Sequence, residues 1–263
     1  MSNQLAIRSH TQPGDEVICE YHSHIFNYEG GGPALLSGVQ LHPLLGDHGI
    51  LEIDQIHDAM RPTDHHYAQS KLIALENTHN RAGGVVYPLS MIEAVSQFAE
   101  KHDLLMHLDG ARLMNAVISS GIDPAAYAES FDSVSLCLSK GLGAPVGSVL
   151  VGSKNFVDQA HRFRKMFGGG MRQIGSFAAA GLYALEHHVE RLAEDHFRAK
   201  ALAKTCQEVG FLLNDLAWTQ TNIVVLAITE GNAQQLAQQF EVEGLLVSVT
   251  NDHKIRLVTH LDF

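Results

Sequence analysis

Short apolar runs alternate with helix-forming stretches along most of the chain. Strand-like runs occur at residues 16–20, 39–44, 71–76, 104–109, 133–138 and 148–151, each apolar or nearly so and bounded by turn residues. Helical patterns lie between and around them. Residues 1–10 read as a helix that no cap or strand introduces, and another helix begins near Asp54 as its cap. Pro88 suits the first turn of a helix reaching Lys101. Further helical patterns cover 111–119, a short segment after Asp123 and Pro124, 155–164, an Ala/Gly-rich stretch at 175–185, and a long polar stretch at 189–209. Strands alternating with helices predict an α/β fold whose sheet is mostly parallel and covered on both faces. The pattern changes late in the chain, where strands at 222–228, 244–249 and 255–260 surround a helix at 233–240. The expected organisation is therefore a large domain, 1–190, and a smaller α+β domain, 191–263.

Composition narrows the classes. A chain of 263 residues with 45% hydrophobic content can bury a sizeable core. A formal charge of −11 disfavours nucleic acid and anionic membrane surfaces as partners. No apolar run approaches the ~18 residues of a membrane span. Three widely spaced cysteines, Cys19, Cys137 and Cys206, give no disulfide framework and fit a reducing cytoplasm. The 17 histidines, including His22, His24, His65, His66, His187 and His188, form no metal-ligand spacing, so no metal is expected.

In parallel sheets ligands bind beyond the carboxyl ends of the strands. His24, His79, Asp109 and Lys140 all fall at or just past such ends. The run 133–138 leads into Ser139-Lys140-Gly141, where small neighbours leave the amine little to pack against and its desolvation favours the neutral, nucleophilic form. The preceding apolar run ends in His107-Leu108-Asp109-Gly110-Ala111-Arg112. Taken alone, Lys140 reads as a turn lysine and Asp109 as a helix cap. On successive strands, in this order, they match the needs of pyridoxal phosphate chemistry: a lysine to carry the cofactor and a carboxylate to keep the pyridine nitrogen protonated.

Five stretches, in order and across essentially the whole chain, resemble the threonine aldolases of the β-eliminating lyase group. They are Glu76 to Asn80, His107 to Arg112, Leu138 to Gly147, Gly168 to Gln173 and Arg256 to His260. The resemblance implies an aspartate-aminotransferase-like (fold type I) architecture, pyridoxal 5'-phosphate as cofactor, a small amino-acid substrate, and a homodimer or homotetramer. It implies cleavage of L-threonine or L-allo-threonine to glycine and acetaldehyde. Lys140 is similar to the cofactor-bearing lysine, Asp109 to the partner of the ring nitrogen, and His24 to the imidazole stacked on the ring. His79 is similar to a histidine near the substrate hydroxyl, and Arg112 and Arg256 to the groups holding the substrate carboxylate. Lys165 and Arg172 are similar to basic residues near the cofactor phosphate. The family pattern also implies a preceding segment with a Ser/Thr-Gly-Thr phosphate loop and a final helix, both absent from this chain. Another fold type I lyase and a non-catalytic remnant are the alternative readings.

Overall fold

The computed structural model describes residues 1–213, 216–229 and 231–263. In chain order the first half comprises α1 (Ser2–His10), β1 (Asp15–Glu20), α2 (His24–Asn27), a π-helical turn at Pro33–Ser37, β2 (Gln40–Leu44), α3 (Ile53–Ala59), β3 (Gln69–Glu76), α4 (Leu89–Lys101), β4 (Leu105–Gly110), α5 (Leu113–Ser120), α6 (Pro124–Ala128) and β5 (Ser133–Cys137). Then follow β6 (Ser148–Gly152), α7 (Lys154–Met166), α8 (Gly175–His187), α9 (Leu192–Glu208), β7 (Leu212–Leu213), a 3-10 turn at Leu216–Trp218, β8 (Ile223–Ala227), α10 (Ala233–Val242), β9 (Ser248–Asn251) and β10 (Lys254–Val258).

The first six strands form one sheet in the order β2-β1-β3-β4-β5-β6. Neighbouring pairs from β2 to β5 are parallel, and β6 closes the row antiparallel to β5. Period-two alternation divides the core between the faces. Val17, Cys19, Leu72 and Ala74 pack with Ile7 of α1 on one side. Ile18, Ile73, Leu75, Met106 and Leu108 pack on the other with Ile56 of α3, Ile92 and Val95 of α4, and Leu113 of α5. Each fully buried aliphatic side chain contributes roughly 1.5–3 kcal/mol relative to exposure. The register sets Glu76 beside Asp109 and Asp109 beside Ser135, so three polar groups share one edge of the sheet.

The remaining strands form an antiparallel sheet, β7-β8-β10-β9. Ala199 and Ala203 of α9 pack on Val224, Leu226 and Ile255 there, which is why a helix that reads as polar along its length still docks. Two local readings change. Glu52, with Gln55 in a capping box, caps α3, and Asp54 lies in its first turn. The glycine-rich segment expected as a plain loop instead carries α2 and the π-helical turn.

Candidate active site

Two strand ends supply the centre. Asp109, at the close of β4, is 4% exposed. Burial, then the neighbouring Glu76 charge, pushes its carboxyl up to about 6, while the Lys140 charge pulls the other way. Lys140 stands half-buried in the turn after β5. The turn is closed by the Gly143 amide donating to the Lys140 carbonyl at 2.9 Å. A Cβ at Gly141 would come within 2.9 Å of Leu192 Cδ2, so the turn sits tight against α9. Among the described residues, no hydrogen bond or ion pair engages the Lys140 ammonium.

His24 opens α2 beside this pair. Its backbone amide donates to Glu76 Oε2 at 2.7 Å, and its Nδ1 lies 2.9 Å from Glu29 Oε1. The Glu29 contact raises the imidazole pKa against partial burial. Despite its own burial, Glu29 is pulled down to about 2 by hydrogen bonds from His24, Gln4 and Asn3. One side-chain atom each from His24, Glu29 and Asp109 falls within 4.8 Å of the others. The His24 side chain is 40% exposed, and among the described residues its Nε2 has no hydrogen-bond partner.

A second cluster is cationic. Arg112, between β4 and α5, donates from Nη1 to Asn80 Oδ1 at 3.3 Å, and Arg256 of β10 donates to the same oxygen at 2.9 Å. Among the described residues, both Nε groups are buried without a partner. Burial and then the Arg256 charge lower the Arg112 pKa, and burial and then the Arg81 charge lower that of Arg256. Two converging guanidiniums sharing one neutral acceptor form a site for an anion, a carboxylate by geometry of the fork. Glu76 ties the clusters together, because its other oxygen accepts the Asn80 amide at 2.9 Å.

His79 does not join either group. It is 2% exposed, its Nε2 lies 2.9 Å from Glu20 Oε2, and its Nδ1 accepts the Ala82 amide at 3.3 Å. Both ring nitrogens already have partners and the ring is shut off from solvent. Its position at a strand end made it look like a site residue, but the bridge between His79 and Val85 folds the following loop back over it. Lys165, in the last turn of α7, and Arg172, in the loop beyond, are both exposed. Among the described residues, no hydrogen bond or ion pair ties either to the Asp109 cluster. Residues that sequence reasoning gave no role are Asn3, Glu20, Glu29, Glu76 and Asn80. Most of their partners lie far away in sequence, and only the polar pair Asn3-Gln4 on the otherwise apolar face of α1 hints at a buried contact.

The chain matches the family model described as beta-eliminating lyase over residues 1–229. It is 40% identical over 262 residues to the low specificity L-threonine aldolase of Escherichia coli K12, covering 99% of this chain and 76% of that protein. Among solved structures it resembles a putative L-allo-threonine aldolase from Listeria monocytogenes, with TM-score 0.83, 21% identity, and 99% and 74% of the two chains covered. An aspartate aminotransferase from Thermus thermophilus aligns at TM-score 0.71 and 16% identity, covering 97% of this chain and 72% of that one, which places the fold among fold type I enzymes. A strand-end lysine beside a strand-end aspartate, in this topology and with this similarity, leads to one conclusion: the chain belongs to the beta-eliminating lyase family.

Proposed function

We propose that this protein is a pyridoxal-phosphate-dependent aldehyde-lyase that cleaves L-threonine and L-allo-threonine to glycine and acetaldehyde. The observation that carries the reading is the unpartnered Lys140 amine close to the buried, proton-avid Asp109 carboxylate. These two groups fit the carbonyl and the ring nitrogen of pyridoxal phosphate, and the orphaned guanidinium nitrogens of Arg112 and Arg256 fit a substrate carboxylate. When bound, the cofactor supplies a carbonyl that condenses with amines and a ring that accepts the electron pair of the breaking Cα–Cβ bond.

The residues divide the remaining work. Lys140 would hold the cofactor, Asp109 would pair with its ring nitrogen, and His24 would lie against the ring; Lys165 and Arg172 are the basic residues assigned to its phosphate. Arg112 and Arg256 orient the substrate by its carboxylate, which fixes the bond to be broken relative to the site. The hydroxyl proton goes to His24, whose Nε2 has no partner among the described residues while Glu29 holds Nδ1. His79 stays paired with Glu20. The proposal extends to an assembly of two or four identical chains acting in the cytoplasm.

Supplying pyridoxal phosphate and L-threonine to the protein should yield glycine and acetaldehyde in equal amounts, and Lys140→Ala should remove the activity. Pyruvate and ammonia as products would establish β-elimination in place of retro-aldol cleavage.

A further inference from the structure

A line of buried polar side chains leads away from Asp109 along the face of the sheet that α1 covers, toward the other end of the strands, and the reaction as described makes no use of it. Asn3 Nδ2 donates to Asp109 Oδ2 at 2.7 Å and also reaches Glu29 Oε1 at 3.0 Å. Carboxylates accept only, so the Asn3 amide is forced to turn its NH2 toward them and its oxygen the other way. That oxygen receives the Ser135 hydroxyl at 2.8 Å and faces His107 Nε2 at 3.2 Å. An amide oxygen cannot donate, so His107 carries its proton on Nε2. The other ring nitrogen, Nδ1, is then bare and accepts the Ser133 hydroxyl at 2.8 Å. The Ser133 oxygen in turn accepts from His10 Nε2 at 2.7 Å.

We infer that His10, Ser133, His107 and Asn3 are positioning residues, forming a one-way hydrogen-bond relay in which every donor points toward Asp109 and holds its carboxylate ionised and aligned. The inference rests on the proposed role of Asp109 and extends it to residues up to 106 positions away in sequence. Directionality follows from the two carboxylates that fix Asn3, not from any choice of tautomer. Burial supports it: His107 is pushed down to about 3 and His10 to about 4, so both rings are neutral donors and acceptors across the neutral range. The groups facing each member are few. Glu76, Lys140 and His24 face Asp109; His10 and Glu29 act on His107; Asp132 acts on His10. His10 stacks on Phe156 at 4.5 Å and lines an open cleft of about 580 Å³ with Asp132, Ser133 and Ser153, so the relay ends at solvent.

One feature makes the relay testable without turnover. The Ser133 carbonyl lies 3.2 Å from His107 Nδ1 and offers an acceptor for the opposite tautomer. Asn3 is what prevents it. Nitrogen-15 spectra of histidine-labelled protein, prepared without cofactor, should show His107 protonated on Nε2. In Asn3→Ala the proton should move to Nδ1, and the Asp109 carboxyl, followed by carbon-13 titration, should ionise only at higher pH. Ser133→Ala should lower kcat about ten-fold and move its acid limb upward, the loss expected for one buried hydrogen bond, and Ser133→Thr should recover most of it. A wild-type His107 protonated on Nδ1, or an Asp109 titration unchanged in Asn3→Ala, overturns the relay. Because those spectra require no substrate, a protein that shows the expected tautomer yet lacks aldolase activity would refute the proposed function and leave the relay standing.

Discussion

The two ends of the site are built on opposite terms. Around Asp109 the carboxylates are matched: Asn3 serves Asp109 and Glu29, His24 pairs with Glu29, and Glu76 accepts two backbone amides. Around Asn80 two guanidiniums share a single oxygen and leave two buried N–H groups unmatched. The first arrangement has its carboxylates matched in the free protein, with the Lys140 amine left open, and fixes geometry. The second is incomplete until an anion arrives, so binding there recovers an unmet hydrogen-bonding demand. The end that does chemistry is rigid, and the end that recognises substrate is left in deficit.

The largest expected effect on stability lies outside both ends, at the buried His79–Glu20 pair. Glu20→Ala removes the partner of buried His79 and should cost about 3 kcal/mol of stability in urea unfolding. Its effect on kcat should be the smaller one, because His79 does not touch substrate. Next, Arg256→Ala should lower kcat/KM about 100-fold, mostly through KM, since a charge-assisted contact to the carboxylate is lost. A fall confined to kcat would place Arg256 at the reacting bond. Asp109→Asn should abolish activity while raising the stability of the cofactor-free protein by about 1–2 kcal/mol, because a costly buried charge disappears. The smallest effect belongs to the open end: acetate at ten times its dissociation constant should stabilise the protein by about 1.4 kcal/mol, and the gain should vanish in Arg256→Ala.

The same contrast fixes a pH dependence. Asp109 binds its proton more tightly folded, near 6, than unfolded, near 3.8. The stability it contributes is fully present below 3.8 and is lost as pH rises through 6. Glu29 has the opposite sign: its folded value near 2 lies below 4.5, so its contribution is present above 4.5 and disappears as pH falls toward 2. His24, raised above 6.5, adds stability below that value and loses it as pH rises through its folded pKa. Thermal unfolding followed across this range should show Asp109→Asn losing the decline between pH 3.8 and 6 while retaining the fall on the acid side.

Much of this was legible from the chain. The alternation of apolar runs and helices gave the parallel sheet, and the rule that ligands sit past strand ends pointed to His24, His79, Asp109 and Lys140. Arg112 and Arg256 were found through resemblance, and the structure brings them together on Asn80. The rule failed at His79 for a physical reason. A strand-end polar residue is exposed only if the next loop turns outward, and here the chain returns to bridge Val85 and bury the ring. Asn3, Glu29 and Asn80 escaped because a buried polar residue is defined by partners that folding supplies. Nothing within α1 announces that Asn3 meets a carboxylate in β4.

The central claim is that Lys140 and Asp109 form one site for a carbonyl cofactor. Borohydride reduction of the protein with pyridoxal phosphate, followed by peptide mass mapping, tests it directly. The label should fall on Lys140 alone, and should fall sharply in Asp109→Ala. Labelling of another lysine, or none, would contradict the account.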